Sequence, residues 1–331
     1  MKHKGSSKTL VGICLVLLLA LALPLMNACQ RGMEYKIGIT QIVTHPALDS
    51  AREGFIKVLA GEGFVEGENV EYILRNAEGD MSIAASIAEY FVAEKVDLIL
   101  SIATPTSQAV VGAVEGTDIP VVFNSVTEPQ AAGLVASWDK PGGNVTGVSD
   151  MAPVEPQIEL IMAISPNTKK LGAIYNAGEV NSVVQIQMLN DIAGKFGLTV
   201  VEATAASTAD VLAAAHSLVG RVDTIWVPAD NTAVAAFESI VKVGEENGLP
   251  VFAADVATVE RGAIGCYGLN YTVVGEESGK IAVRILRGEK PADIPVQMVP
   301  LDELYFNRAA AQRMGVTIPQ ALLDKATKII E

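Results

Sequence analysis

Val96-Asp97-Leu98-Ile99-Leu100-Ser101-Ile102-Ala103-Thr104-Pro105-Thr106 runs on to Ile119-Pro120-Val121-Val122-Phe123. Later, Val222-Asp223-Thr224-Ile225-Trp226-Val227-Pro228-Ala229-Asp230-Asn231-Thr232 runs on to Leu249-Pro250-Val251-Phe252-Ala253. A third pair precedes these two, Lys36-Ile37-Gly38-Ile39-Thr40-Gln41 and Lys170-Leu171-Gly172-Ala173-Ile174-Tyr175. Members of the three pairs stand 126, 130 and 134 residues apart, so order and spacing repeat where identities differ. Each unit is an apolar run, and most end in small polar residues before a helical pattern begins. Continuous apolar runs of this length are what parallel strands covered on both faces require. The repeat predicts two similar α/β lobes in one chain, with a cleft between them.

Outward from these runs, strand and helix patterns alternate. Strands are predicted at 35–40, 69–75, 96–102, 121–124 and 144–148, with helices at 47–62, 81–95 and 104–115 between them. The cycle restarts with a helix from Glu155. Strands at 170–175, 199–203, 224–227 and 251–254 then alternate with helices at 182–196, 208–219 and 231–247. Helices of this length between strands favour parallel pairing through right-handed crossovers. The lobe junctions fall near Ser149–Pro156 and around Gly265–Asn270.

The 331 residues are 50% hydrophobic and 19% charged, enough for two cores at roughly 100–200 residues per domain. A formal net charge of −14, with no cluster of Lys or Arg, argues against nucleic acid as a partner. At the N-terminus, Lys2, Lys4 and Lys8 precede an almost wholly apolar run from Leu10 to Leu25, and Ala28-Cys29 follows closely. Sixteen residues are short for a spanning helix and suit a signal-peptide core. The small residue directly before Cys29 reads as a bacterial lipobox, in which Cys29 is lipidated and becomes the mature N-terminus. Cleavage there removes three lysines and takes the formal charge from −14 to −17. Cys14 leaves with the signal, so Cys266 is the lone free thiol and reads as a buried, inert one. The chain is thus expected outside the cytoplasm, anchored to the bacterial membrane through Cys29.

Parallel sheets bring the carboxyl ends of their strands and the N-termini of the following helices to one side, where ligands bind. At those ends stand Gln41, Thr104, Pro105 and Thr127 from the first repeat, with Ser125 beside Thr127. Asn181, Ser182, Asp230, Asn231 and Asp255 stand there from the second. The set holds hydroxyls, amides and acids but no Lys or Arg, which suits a small zwitterion: helix-start N–H groups and hydroxyls for a carboxylate, Asp230 or Asp255 for an ammonium. Helix capping competes as the role of Thr104, Ser182 and Asp230. His45, in the loop after Gln41, either borders the cleft or is solvated, and His216 lies in a helix. Neither joins a catalytic triad or a set of metal ligands, and G-x-S-x-G, P-loop and G-x-G-x-x-G motifs are absent. No cofactor or metal is expected, and an enzyme is disfavoured.

Several motifs carry a family resemblance. Lys36-Ile37-Gly38-Ile39-Thr40-Gln41-Ile42-Val43 followed by His45-Pro46-Ala47-Leu48-Asp49 is one. Asn76-Ala77-Glu78-Gly79-Asp80, Lys140-Pro141-Gly142-Gly143-Asn144-Val145-Thr146-Gly147 and Asp230-Asn231-Thr232 are others. Together they resemble the TrpX-like substrate-binding proteins of ABC importers, over about Tyr35 to Gly315. The resemblance implies a type I periplasmic-binding fold whose lobes are joined by three crossing segments. Residues 36–148 with 267–290 would form lobe 1, and 149–266 with 291–331 lobe 2, after a signal peptide at 1–28 and a tether at 29–35. It also implies an amino-acid ligand, with an aromatic one such as tryptophan foremost, a membrane permease as partner, and a monomeric receptor. Its cleft candidates are Gln41, Thr104, Asp150, Asn181, Ser182, Asp230, Asn231 and Asp255. Glu128-Pro129 stands where the family often has Asp-Pro, and Phe123 and Trp226 read as core. The alternatives are a ligand sensor of the same fold feeding a membrane signalling protein, or an exported enzyme.

Overall fold

The computed structural model describes residues 34–331. The segment expected to be a signal peptide, and Cys29, lie outside the described residues. In the first half of the chain, β1 (Tyr35–Gln41), α1 (Pro46–Gly61), β2 (Val70–Asn76), α2 (Met81–Glu94) and β3 (Leu98–Ile102) follow one another. They continue into α3 (Thr104–Ala113), β4 (Val121–Asn124) and β5 (Val145–Ser149). The second cycle is α4 (Val154–Ile164), β6 (Lys170–Tyr175), α5 (Val180–Ala193), β7 (Thr199–Thr204), α6 (Val211–Leu218) and β8 (Thr224–Val227). It is completed by α7 (Asn231–Ala235), α8 (Phe237–Asn247), β9 (Val251–Ala253) and α9 (Ala257–Glu260). The remainder is β10 (Gly265–Gly268), α10 (Tyr271–Leu286), β11 (Gln297–Met298), β12 (Glu303–Asn307), α11 (Arg308–Arg313), α12 (Gln320–Leu323) and β13 (Lys328–Ile330).

The repeat is visible in the strand order. One sheet runs β11-β5-β4-β3-β1-β2 and the other β7-β6-β8-β9, so the first four strands of each cycle adopt the same arrangement. All of those pairings are parallel. Even the Val-Asp dipeptides that open the repeated runs do the same job twice. Asp97 accepts from the Lys36 N–H at 2.7 Å, and Asp223 accepts from the N–H groups of Lys169 and Lys170 at 2.8 Å. Each aspartate thereby holds the start of the first strand of its cycle, the one next to the edge of its sheet, and the N–H groups lower the Asp223 pKa below the ordinary carboxylate value. Phe123 and Trp226 are fully buried, Trp226 with its indole N–H donated to Gln157 at 3.0 Å.

Three findings depart from the pattern read off the sequence. The helix predicted at 231–247 is broken at Ala236, so short α7 heads the cleft while α8 buries Phe237, Ile240 and Val243. The second lobe also carries a three-strand ribbon, β10-β12-β13, in which β10 and β12 are antiparallel. Finally, assignment of 291–331 to lobe 2 is corrected. β11 extends the first sheet beside β5, Ile294, Val296 and Val299 pack in the first core, and the chain returns to the second lobe only after Val299. Thr146 donates to the Ile294 carbonyl at 2.7 Å and the Val296 N–H to the Trp138 carbonyl at 2.8 Å. A two-residue strand held by such contacts has no periodicity to betray it. Likewise Tyr267 pairs within the second lobe's ribbon, so the preceding crossing falls at 269–270.

The helix that returns to the first lobe is seated by glycine. α10 lies so close to α1 that a Cβ on Gly275 would stand 2.0 Å from the Ala51 carbonyl oxygen, and one on Gly54 2.4 Å from that of Thr272. Contact at this distance needs backbone on both sides. Asn124 at the end of β4 also donates to Ser278 of α10 at 2.8 Å. Gly275→Val should therefore force the helices apart, costing about 3 kcal/mol or more. Calorimetric unfolding is expected to show the loss in the transition of the first lobe.

Candidate functional site

The carboxyl ends of both sheets face one another across a chamber lined by both lobes. The first lobe supplies His45 and Leu48 at the start of α1 and Ser125 and Thr127 beyond β4. The second supplies Asn181, Ala229, Asp230, Asn231, Val234 and Asp255. Asp150 and Tyr271, on two of the crossing segments, close the floor. This is the switch point of both sheets, where adjacent strands lead away in opposite directions and leave a crevice.

Local structure sets these side chains in place. Ser125 has φ +55° and Ala103, at the matching end of β3, has φ +80°, both outside the range that non-glycine residues prefer. Backbone strain of this kind is retained where surrounding packing enforces it, commonly at ligand sites. Asp150 accepts from the Thr127 hydroxyl at 3.1 Å and the Tyr271 hydroxyl at 3.0 Å. Asn270 caps α10 by accepting from the N–H groups of Thr272 and Val273, which points Tyr271 back at the hinge.

On the opposite wall, Asp230 caps α7 through the Ala233 N–H at 2.6 Å and also accepts from the Asn176 N–H and the Ser182 hydroxyl, each at 2.6 Å. Behind it, Glu179 accepts from the side chains of Asn181, Asn231 and Thr232 and from the N–H groups of Asn231 and Thr232. The N-terminal amides of α7 are therefore already occupied by carboxylates. Asp255 differs: Oδ1 accepts from the Ala257 N–H at 2.8 Å, while Oδ2 is buried with no partner among the described residues.

Charge in the chamber is one-sided. Three aspartates reach its wall, and among the described residues no Lys or Arg does. Burial raises the pKa of Asp150, and burial together with the Glu179 charge raises Asp230 to about 7. Burial lifts Asp255 to about 6. His45 moves the other way, to about 4, because burial and the Arg261 charge disfavour its cation. An imidazole so placed is neutral at physiological pH.

Of the residues singled out from sequence, Thr127, Asp150, Asn181, Asp230, Asn231 and Asp255 meet at the chamber. The others do not reach its wall. Gln41 is engaged with Val43, Asp49 and Arg52 and shapes the loop that carries His45. Thr104 is buried outside the chamber, and Pro105 lines a neighbouring, more open cavity between the lobes. Ser182 stands behind Asp230. His45 is a wall residue and 8% exposed, which resolves its two alternatives in favour of the cleft. Leu48, Val234 and Tyr271 are additions. Tyr271 follows directly on the junction expected around Gly265–Asn270, but nothing in its local sequence announces that its side chain reaches the chamber and Asp150.

A two-lobed binding receptor that encloses a small polar solute is the class this architecture defines. The profile described as ABC transporter substrate binding protein matches residues 36–330, and the chain belongs to that family. A tyrosine-binding protein of Clostridioides difficile (strain R20291) is 42% identical over 274 residues, 83% of this chain and 79% of the relative. A solved ABC domain from Streptococcus pneumoniae in complex with L-Trp is 38% identical, covers 90% of this chain and 100% of its own, and superposes with a TM-score of 0.86. A ligand-free, open substrate-binding protein from Clostridium difficile is 40% identical over 89% of this chain and 99% of its own, yet superposes at only 0.67. Identity and coverage are nearly equal for these two, and the chain superposes better on the tryptophan complex than on the open protein.

A pH experiment follows from Asp255. Its folded-state pKa of about 6 exceeds the ordinary 3.8, so its contribution to stability is complete below pH 3.8 and lost as pH rises through about 6. Asp255→Asn, which cannot ionise, should stabilise the protein at pH 8 by up to about 3 kcal/mol, by about half as much at pH 5, and make little difference near pH 3.5. Melting temperatures of both proteins without added amino acid, across that range, check the sign.

Proposed function

We propose that this receptor captures an aromatic amino acid between its lobes and delivers it to an ABC permease. The carrying observation is the charge of the chamber: three buried carboxylates line it, and no Lys or Arg among the described residues does. Such a site stays unfavourable with all three ionised unless a bound group brings positive charge, and an α-ammonium does so. Leu48, Val234 and the Tyr271 ring supply apolar wall for a side chain. The tyrosine-binding relative and the tryptophan complex support the same ligand class.

Ligand that touches both lobes favours the closed arrangement by its differential contacts, and the permease then reads closure. Asp150 and Tyr271 belong to the crossing segments about which the lobes would turn, so their hydrogen bond links the chamber floor to the hinge. On this reading the protein acts outside the cytoplasm as a monomer held by lipid on Cys29. The leader and the residue pair Ala28-Cys29 support that placement, and no helix among the described residues is long and apolar enough to cross a membrane.

Titration calorimetry on the protein purified without bound solute tests the ligand class. L-tryptophan, L-tyrosine or L-phenylalanine should bind and raise the melting temperature, because a ligand selective for the native state stabilises it by mass action. Asp150→Asn should weaken that binding by about 10-fold or more, the scale of one hydrogen bond to a charged group. Binding of none of the three amino acids would remove the aromatic reading.

A further inference from the structure

His45 and Asp255 face each other across the closed cleft from different lobes. His45 Nδ1 and Asp255 Oδ2 stand 4.0 Å apart, too far for a hydrogen bond, and neither atom has a partner among the described residues. Both side chains are nine-tenths buried or more, at 8% and 2% exposure, and both line the chamber. Two unpaired buried polar atoms at one point of an interface are costly, and a pair brought together only by closure is costly only in the closed form.

From this geometry we infer that His45 and Asp255 form a two-lobe clip for the ligand's primary amine, which makes His45 a specificity-determining residue. The inference rests on the amino-acid reading given above and deepens it. A donor nitrogen about 2.9 Å from both atoms would see them at an angle of about 90°, within the bend that hydrogen bonds tolerate. Satisfying both acceptors at once takes two hydrogens on one atom. An ammonium has three, whereas a hydroxyl has one. A ligand carboxylate is excluded there by the charge of Asp255.

The surroundings keep His45 in the accepting form. Its neighbours in charge are Asp49 on its own helix, Arg261 beyond α9 and Asp255 opposite, and burial with the Arg261 charge outweighs Asp49. A neutral imidazole with its proton on Nε2 presents a lone pair at Nδ1. Nothing else among the described residues claims the side chain: His45 occupies the N-cap position of α1 but makes no capping hydrogen bond, and Pro46 at the first helical turn needs none. Because the two acceptors sit on separate lobes, the amine is the group that ties ligand identity to closure. Solutes of the same shape without the amine would leave both atoms unpaired and favour closure less.

The test compares L-tryptophan with indole-3-propionate, the same skeleton without the amine, by calorimetry on wild type, His45→Ala and His45→Gln. Wild type should prefer tryptophan by about 100-fold or more, and His45→Ala should cut that preference by about 10-fold, the scale of one hydrogen bond to a charged group. The loss should fall on tryptophan and spare indole-3-propionate. His45→Gln, whose side-chain oxygen accepts, should recover part of the preference, and it carries the test if the alanine variant does not fold. Melting curves of each variant without added solute establish folding. An unchanged preference in the folded variants, with tryptophan bound, overturns the clip alone. Failure of wild type to bind any aromatic amino acid overturns the amino-acid reading, and the clip with it.

Discussion

Gly275 lies against the backbone of Ala51 with room for nothing larger than hydrogen, and the geometry of the cleft depends on that contact. It holds α10 on the first lobe after the chain has built most of the second, so the polypeptide must pass between the lobes again. The passage places Tyr271 at the hinge, where it meets Asp150 on an earlier passage. A looser helix pair would leave the crossings free to shift and the chamber floor undefined.

Above that floor the two walls differ in how their acids are satisfied. Asp230 and Glu179 are surrounded by donors and hold α7 and its neighbours in register, so their negative charge is shared with helix amides and side chains. Asp255 is bonded on one oxygen and bare on the other. The same residue type therefore serves two ends. One carboxylate braces the wall, and the other faces the chamber with one oxygen bare. Of the two aspartates expected as partners for an ammonium, Asp230 or Asp255, Asp230 has both oxygens engaged by donors.

The chain superposes better on the tryptophan complex than on the open, ligand-free protein, and its chamber is lined from both lobes. Closure buries groups from both lobes at once. It is favourable only if what lies between them satisfies those groups, and this is how a receptor that opens and shuts distinguishes one solute from another.

Much of this was legible in the residues alone. Paired apolar runs with Asp97 and Asp223 at matching points foretold two lobes of the same strand order, because buried parallel strands need continuous apolar sequence. The ends of those strands named Thr127, Asn181, Asp230, Asn231 and Asp255, since sheet topology puts those ends on one side. Asp150 came from family motifs instead. Other features had no local signature: β11 on the first sheet, the break at Ala236, the reach of the Tyr271 side chain to Asp150, and the withdrawal of Gln41 into its own loop. Each depends on contacts between residues far apart in the chain, and periodicity reports only on near neighbours. The amino-acid sequence by itself determined that there are two α/β lobes and an acidic, cation-poor cleft. Only the tertiary structure decided which acids are already engaged by donors and which has an oxygen left bare in the chamber, because that turns on a few ångströms between side chains far apart in the chain.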